Sequence, residues 1–220
     1  MVSYHGESEE EFFNGFHRYG LTGAELNRVR LAAVNYFTQT KAAREIFRAV
    51  EEPLVRLLGP DIAVQKTCNV VVQQPGDTDQ APIHRDAPSN SHFELIAWIP
   101  LVDVYKTKGM FVLNREHSSR ALAKLKRGES FQDFCAYTKE HSEPIEVSFG
   151  SVCLIQSGLA HGVPLNEESQ TRWSLNVRFK NLFSPYGDKG LGDFFEVLQL
   201  SPLSKIAFEF SRQEFEPFEP

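Results

Sequence analysis

The clearest strand in the sequence is residues 171–180, TRWSLNVRFK. Polar and apolar side chains alternate along it. The polar set is Arg172, Ser174, Asn176 and Arg178, and the apolar set is Trp173, Leu175, Val177 and Phe179. Because successive side chains of a strand point to opposite faces, the polar set shares one face. That face is either solvated or lines a cavity, and the pattern alone leaves both readings open.

The chain that precedes this strand begins with helical patterns. Ser8 with Glu11, and Thr22 with Glu25, have the spacing of capping boxes, which predicts that helices begin at these points. A further helix is predicted over 41–58, where a Gly-Pro pair follows. The first third of the chain is therefore expected to be helical.

Short strand patterns dominate after Pro60. Strands are predicted over 62–73, 93–99, 110–113, 145–149, 152–156 and 171–180, and short helices over 119–127, 131–140 and 193–200. This order predicts a mainly β protein whose antiparallel sheets are flanked by helices. A double-sheet jelly roll suits the number of strands, but the pattern does not separate it from another sandwich.

Composition excludes several functional classes. The chain has 220 residues, enough for one domain, and a formal net charge of -6 without a basic patch, so we expect neither a nucleic acid nor a membrane as partner. The N-terminus lacks the basic-then-apolar order of a signal peptide, and no apolar run reaches the length that spans a bilayer. Three cysteines without a CxxC pair favour a reducing, cytoplasmic location.

A candidate metal site begins at His84 and Asp86. Residues i and i+2 of an extended chain point to the same side, so the imidazole and the carboxylate converge. His161 follows a predicted strand and is flanked by glycine at position 162. Two histidines and one carboxylate that leave open positions suit Fe(II) and O₂. Taken singly, each motif is weak, because His-x-Asp occurs by chance and a loop histidine often only bonds a carbonyl.

Arg172 and Ser174 strengthen this hypothesis. Arg172 follows His161 by eleven residues, and arginine is suited to binding a carboxylate through two hydrogen bonds. The complete pattern of His-x-Asp, a distal His and Arg-x-Ser resembles the Fe(II)/2-oxoglutarate-dependent dioxygenases of the phytanoyl-CoA-hydroxylase-like group. Segments 73–77, 98–101 and 109–113 are also similar to those of the group, and the resemblance covers roughly residues 62–182.

The run 91–108 resembles a narrower subgroup that is encoded sporadically among carbohydrate-biosynthesis genes. One departure from the group lies at 114–118, NREHS, where members commonly have a Pro-Gly-Ser-His turn. That turn is not a metal site in the group, so the departure concerns the rim of the substrate site.

The resemblance implies a double-stranded β-helix, a cupin-like jelly roll braced by N-terminal helices. We predict one domain over 1–220, with a helical part at 1–60, the jelly-roll core at 61–182 and a C-terminal extension at 183–220. The resemblance further implies that His84, Asp86 and His161 bind Fe(II), and that Arg172 and Ser174 bind the cosubstrate 2-oxoglutarate. With O₂, such an oxygenase hydroxylates or dehydrogenates its substrate and releases succinate and CO₂.

The substrate expected from the resemblance is a small polar molecule of carbohydrate type, a sugar or a sugar conjugate. Further contacts to cosubstrate or substrate are expected among Gln73, His92, Glu94, Trp98, Thr107, Lys108 and Asn176, although a structural or solvated role stays open for each. Assembly into a homo-oligomer is also left open.

Two alternatives remain at this point. The first is a cupin-like metal enzyme that does not use 2-oxoglutarate, and the pairing of Arg172 with Ser174 argues against it. The second is a non-enzymatic β-sandwich binding module, which has no need of two histidines and an aspartate that converge. Because fold resemblance does not decide function, the site residues carry the prediction.

Overall fold

A computed structural model describes residues 8–78, 83–87 and 91–214 of the chain. The α-helices within these residues are α1 (Glu9–Asn14), α2 (Gly23–Gln39), α3 (Ala42–Ala49), α4 (Glu51–Leu58), α5 (Arg115–Lys126), α6 (Phe131–His141) and α7 (Pro202–Glu214). The strands are β1 (Ile62–Gln65), β2 (Asn69–Gln73), β3 (Glu94–Pro100), β4 (Met110–Val112), β5 (Glu143–Ile145), β6 (Cys153–Gln156), β7 (His161–Gly162), β8 (Arg172–Asn181) and β9 (Phe195–Gln199). Residues 215–220 of the predicted C-terminal extension lie outside the described residues.

Strand β8 lies at the centre of the larger of two antiparallel sheets. One edge of β8 pairs with β3, and the other edge pairs first with β2 and then with β1. Strand β6 extends the sheet beyond β3, and β9 extends it beyond β1. The smaller sheet has the order β5-β4-β7. Both edges of β8 are therefore hydrogen-bonded along its length.

The N-terminal helices cover the apolar face of β8. Both predicted capping boxes are confirmed, since Ser8 and Thr22 each cap their helix as the sequence predicts. The ring of Phe16, just after α1, meets Trp173 edge-on with centroids 4.9 Å apart. Phe47 of α3 packs on Phe179 in a second cluster of buried residues. The polar face of β8 consequently points away from the helices.

The prediction of a mainly β protein is wrong. Among the described residues, more lie in helices than in strands, so the fold is a mixture of helices and antiparallel sheets. Two helices, α5 and α6, are inserted between β4 and β5, and α7 follows the last strand. Within the described part of the chain, no helix has the length and apolar character needed to cross a bilayer.

Four predicted elements differ from the structure. Of the strand predicted over 145–149, only Ile145 lies in a strand, β5, and Val147 forms an isolated bridge to Val104. The helix predicted over 41–58 is broken at Val50, whose backbone (φ -129°, ψ 28°) is not helical. The strand predicted over 62–73 is interrupted at 66–68. The segment 193–200 is not a helix but contains strand β9, where Phe195 is fully buried and pairs with Gln65. In this last case, pairing with the edge of β1 overrides the local helical pattern.

Candidate metal centre

Two histidines from distant parts of the chain are joined through their backbones. The His84 N–H donates to the His161 carbonyl, the His161 N–H donates to the His84 carbonyl, and each N···O distance is 2.9 Å. Residues directly opposite each other in an antiparallel pair project to the same face. The imidazole rings accordingly lie close, with centroids 4.5 Å apart. On its other side, His161 pairs with Val112, which ties it to the smaller sheet.

Asp86 completes the cluster from the same segment as His84. Its N–H donates to the Ser157 carbonyl at 3.1 Å, which fixes the backbone beside the site. The Asp86 carboxylate oxygens lie 3.8 Å from His84 Nε2 and 3.9 Å from His161 Nε2. One ligand atom from each residue lies within 4.8 Å of the others. Neighbouring ligands on a shared ion are about 3 Å apart, so the widest of these separations would have to shorten by about 2 Å for all three residues to bind one ion.

The hydrogen bonding of His161 selects the tautomer that binds metals. Its Nδ1 lies 2.9 Å from the Leu159 carbonyl oxygen, which has only lone pairs and must accept. The proton therefore resides on Nδ1, and the Nε2 lone pair faces Asp86. Burial lowers the pKa of His161, which favours the neutral, ligand-competent imidazole.

Arg178 links Asp86 to a buried glutamate. Its Nη2 lies 3.1 Å from Asp86 Oδ1, and its Nη1 lies 3.6 Å from Glu94 Oε2. Only 1% of Glu94 is exposed. Burial raises the pKa of Glu94, whereas the positive charges of Arg178 and Lys180 act to lower it. Arg178 was not among the predicted site residues, although the alternation along β8 already placed it on the same face as Arg172.

Arg172 is a buried cation that has no counterion among the residues that the structure describes. It is 2% exposed, and its Nη1 donates to the Gly109 carbonyl at 2.9 Å. Within the described part of the chain, its Nε and the Ser174 hydroxyl have no hydrogen-bond partner, and no carboxylate pairs with the guanidinium. Burial lowers the pKa of Arg172 to about 10. A cation in this environment calls for an anion to offset the cost of its desolvation.

One cavity joins these groups. It has a volume of about 270 Å³ and is lined by the three candidate metal ligands together with Arg172, Ser174, Asn176 and Arg178. Its other lining residues are Asn69, Val71, Ile96, Trp98, Met110, Ile155 and Val163. The polar face of β8 therefore lines a cavity rather than facing solvent, and the contribution of β2 through Asn69 and Val71 was not predicted.

The remaining predicted contacts are divided between this cavity and other places. Trp98 and Asn176 line the cavity, and the Asn176 side-chain oxygen accepts no hydrogen bond from any described residue. Gln73 is buried outside the lining, and its amide nitrogen donates to the Pro164 carbonyl at 2.6 Å. His92 is exposed and does not line the cavity. Glu94 reaches the site through its ion pair with Arg178.

Thr107 and Lys108 are engaged elsewhere in the fold. The Lys108 ammonium donates to Asn14 Oδ1 at 2.6 Å and to Gln170 Oε1 at 2.8 Å. Lys108 is fully buried and thereby joins the end of α1 to the segment before β8. The Thr107 hydroxyl donates to Glu168 at 3.0 Å. Neither side chain lines the cavity that contains the candidate ligands.

Comparison with known proteins adds evidence on the fold. No protein-family model and no curated protein matches the chain. Among solved structures, the apo form of the non-heme monooxygenase ThoJ matches with a TM-score of 0.54 and 17% identity, over 70% of this chain and 58% of that one. The nickel complex of ThoJ matches with a TM-score of 0.52 and 13% identity, over 76% of this chain and 70% of that one. The fold resembles that of a non-heme monooxygenase. The chain spans little more than half of apo ThoJ, so the likeness concerns the fold and not the activity.

Proposed function

We propose that the protein is an Fe(II)- and 2-oxoglutarate-dependent oxygenase. The observation that carries this proposal is the presence of Arg172, a buried cation with no counterion among the described residues, in the same cavity as the cluster of His84, Asp86 and His161. A cosubstrate with a carboxylate at one end and a metal-chelating group at the other can bind both parts of the cavity, the arginine and the cluster of candidate metal ligands. Neither half alone distinguishes this class of enzyme from other metalloproteins.

The donor set fits ferrous iron. Two imidazoles and one carboxylate on one side of an ion leave the remaining positions open, which is the ligand arrangement of non-heme iron oxygenases. His84, Asp86 and His161 would hold the ion. When bound, iron with 2-oxoglutarate and O₂ supplies the oxidation of the substrate and the release of succinate and CO₂. The protein contributes ligand geometry and a pocket that restricts the access of water.

The charges of the site support 2-oxoglutarate. Fe(II) with Asp86 carries a net charge of about +1, 2-oxoglutarate about -2 and Arg172 +1, so these groups sum to roughly zero. The positive charge of Arg178 and the negative charge of Glu94 offset each other. The unpartnered Arg172 Nε and Ser174 hydroxyl are donors suited to the carboxylate at the far end of the cosubstrate.

The order of strands supports a double-stranded β-helix, which is part of the proposal. Strand β2 belongs to the larger sheet, the segment at His84 pairs with β7 of the smaller sheet, and β3 returns to the larger sheet. Strands β4 and β5 then lie in the smaller sheet, β6 in the larger, β7 in the smaller and β8 in the larger. This alternation is the winding expected of two sheets coiled together as a jelly roll.

The finer assignments rest on sequence resemblance and on the polarity of the cavity. We place the enzyme in the phytanoyl-CoA-hydroxylase-like group, with a small polar substrate of carbohydrate type. Asn69, Asn176 and Arg178 offer amide and guanidinium groups that suit a substrate rich in hydroxyls.

The decisive experiment compares two keto acids. Anaerobic titration of the Fe(II) protein is followed through the weak visible absorption of the metal chelate, with 2-oxoglutarate and with 2-oxobutyrate, which chelates equally but lacks the far carboxylate. Wild type should bind 2-oxoglutarate about 10- to 100-fold more tightly than 2-oxobutyrate, because this is the gain in affinity expected from a charge-assisted hydrogen bond. Arg172→Met should remove this preference and leave the binding of 2-oxobutyrate unchanged, which also shows that the variant is folded.

The other outcomes separate the alternatives. Iron binding without any preference between the keto acids would overturn the role of Arg172 and favour a cupin-like metal enzyme that does not use 2-oxoglutarate. A protein that binds no iron would instead favour a binding module. Arg30→Met is the matched control, since Arg30 bonds the Val72 carbonyl and does not line the cavity.

A further inference from the structure

A second and larger cavity lies beside the inserted helices. This outer cleft has a volume of about 740 Å³ and is lined by residues of α6, β4, β5 and the segment that follows β7, among them Phe111, Phe131, Pro144, Pro164, Lys106 and Lys139. Its volume falls within the range of sites for drug-sized ligands, about 300–1,000 Å³. Its lining includes none of the candidate metal ligands and neither Arg172 nor Ser174, although Thr107, one of the contacts expected from the sequence, does line it.

The register of the smaller sheet places the outer cleft on the face away from the candidate metal centre. Val112 is opposite His161, and the next pair along is Phe111 opposite Gly162. Because neighbouring residues of a strand point to opposite faces, Phe111 points away from the side of His161. Its ring lies within 2.6 Å of the position that a Cβ of Gly162 would occupy. The outer cleft is therefore a separate site, and of the described residues only Met110 and Val163 line both cavities.

Apolar groups form most of the walls of the outer cleft. Phe131, at the start of α6, is 59% exposed there although it is a large aromatic residue. Phe111, Pro144 and Pro164 add further apolar surface. Exposed apolar surface that is gathered into a concave site is typical of ligand binding rather than of ordinary protein surface.

Two lysines give the outer cleft a positive charge. Within the part of the chain that the structure describes, neither the Lys106 nor the Lys139 ammonium forms an ion pair or a hydrogen bond. None of the described lining residues is acidic, although the chain carries a net charge of -6. Lys106 also has a left-handed backbone (φ 45°), a conformation unusual for lysine that is found preferentially at functional sites.

We propose that the outer cleft binds a small apolar organic anion, an aromatic or alicyclic carboxylate or sulfonate. Its ring system contacts Phe111 and Phe131, and its anionic group meets Lys106 and Lys139. A neutral ligand of the same shape would gain no charge-assisted contact with either exposed ammonium group, and a hydrophilic anion would leave the aromatic walls in water. The site requires neither iron nor 2-oxoglutarate.

The first test uses anilinonaphthalene sulfonate, a fluorescent apolar anion, and its neutral analogue phenylnaphthylamine, with the metal-free full-length protein. In wild type the anion should bind about tenfold or more tightly than the neutral probe, because it gains charge-assisted contacts. The double variant Lys106→Met, Lys139→Met should lose this preference, whereas the exposed Lys126→Met control should retain it. Equal binding of both probes by wild type, or an unchanged preference in the double variant, would overturn the proposal.

The second test locates the probe. Cys135 lines the outer cleft and is partly exposed. Burial raises the pKa of Cys68 to about 11 and also raises the pKa of Cys153, so both thiols react slowly with N-ethylmaleimide. Bound anilinonaphthalene sulfonate should slow alkylation of Cys135 in wild type, as followed by mass spectrometry of the intact protein, and should not do so in the double variant. Failure to protect Cys135 would place the probe elsewhere and refute the site, without bearing on the oxygenase.

Discussion

His84 and His161 are opposite each other in an antiparallel bridge and exchange both of their backbone hydrogen bonds, each 2.9 Å long. The spacing of the two backbones that carry the imidazoles is therefore fixed by main-chain pairing. A site whose ligands are held in this way loses little conformational freedom when it binds an ion. This relationship leads to the first prediction.

Replacement of His84 by alanine should abolish tight metal binding. Loss of a partner that only orients a metal ligand lowers affinity 10- to 100-fold, so loss of a ligand itself should lower it by more than about 100-fold. Anaerobic calorimetry with Fe(II) or Co(II) measures the change. His92→Ala is the control, because His92 is exposed and lies outside the cavity. The affinity of this variant for the metal should equal that of wild type. Equal affinities of His84→Ala and the control would contradict the site.

Arg178→Met should destabilise the metal-free protein by about 3–5 kcal/mol, because it leaves Glu94 buried without its nearest cation. Adding Glu94→Gln should restore more than half of the loss, which a double-mutant cycle in urea measures. Without Arg178, the already raised pKa of Glu94 rises further above 4.5. The folded state then binds more protons than the unfolded state, so stability falls as pH rises and the loss is greater at pH 8 than at pH 5. Strictly additive effects of the two substitutions would refute the coupling.

Gly162→Ala should destabilise the protein by about 1–3 kcal/mol, since the new methyl group would overlap the ring of Phe111. The adjacent metal ligand His161 should shift with it, so metal affinity should also fall. Phe111→Leu in the same chain removes the overlap and should recover most of the stability measured by thermal unfolding. Gly23→Ala is the control, because the added methyl group would meet no described atom within 4 Å beyond its chain neighbours and the backbone of its own helix. A fully stable Gly162→Ala protein would show that the ring moves aside freely.

Lys108 should give stability an unusual dependence on alkaline pH. Burial lowers its pKa from 10.5 to about 8 in the folded protein. Between these values the unfolded chain binds the extra proton, so unfolding becomes less favourable as pH rises. Relative to Lys108→Met, wild type should gain roughly 3 kcal/mol from pH 8 to pH 10.5, as measured by urea unfolding. Lys126→Met, which replaces an exposed lysine, should show the same dependence of unfolding free energy on pH as wild type. Parallel pH dependences for wild type and Lys108→Met would contradict a contribution from the buried Lys108.

Local signals predicted local structure well. The starts of α1 and α2 follow from Ser8 and Thr22, whose side chains satisfy backbone donors within one helical turn. Strand β9 could not be predicted in this way, since Phe195 becomes buried only because the edge of β1, far away in the sequence, is available for pairing. The helical content was underestimated because α7 carries exposed aromatic residues, which obscure the helical periodicity of its apolar side chains.

The candidate site was accessible to sequence reasoning only in part. His84 and Asp86 are related by strand geometry, but their meeting with His161 depends on a contact across 77 positions, and only the resemblance to a family suggested it. Arg178 was visible on the polar face of β8 yet was left out, because a period of two does not say which end of a strand reaches the metal ligands. Its contact with Asp86 depends on the tertiary structure, because the two residues are far apart in the sequence.

Strand β8 also limits how the gene can change. Both edges of β8 are paired, and its residues alternate between the cavity and the apolar packing under the N-terminal helices. Deletion of one codon within it would reverse the orientation of every residue that follows, which would bring guanidinium groups into the core and aromatic rings into the cavity. Substitutions in this strand can therefore be sampled singly, whereas insertions and deletions should be restricted to loops.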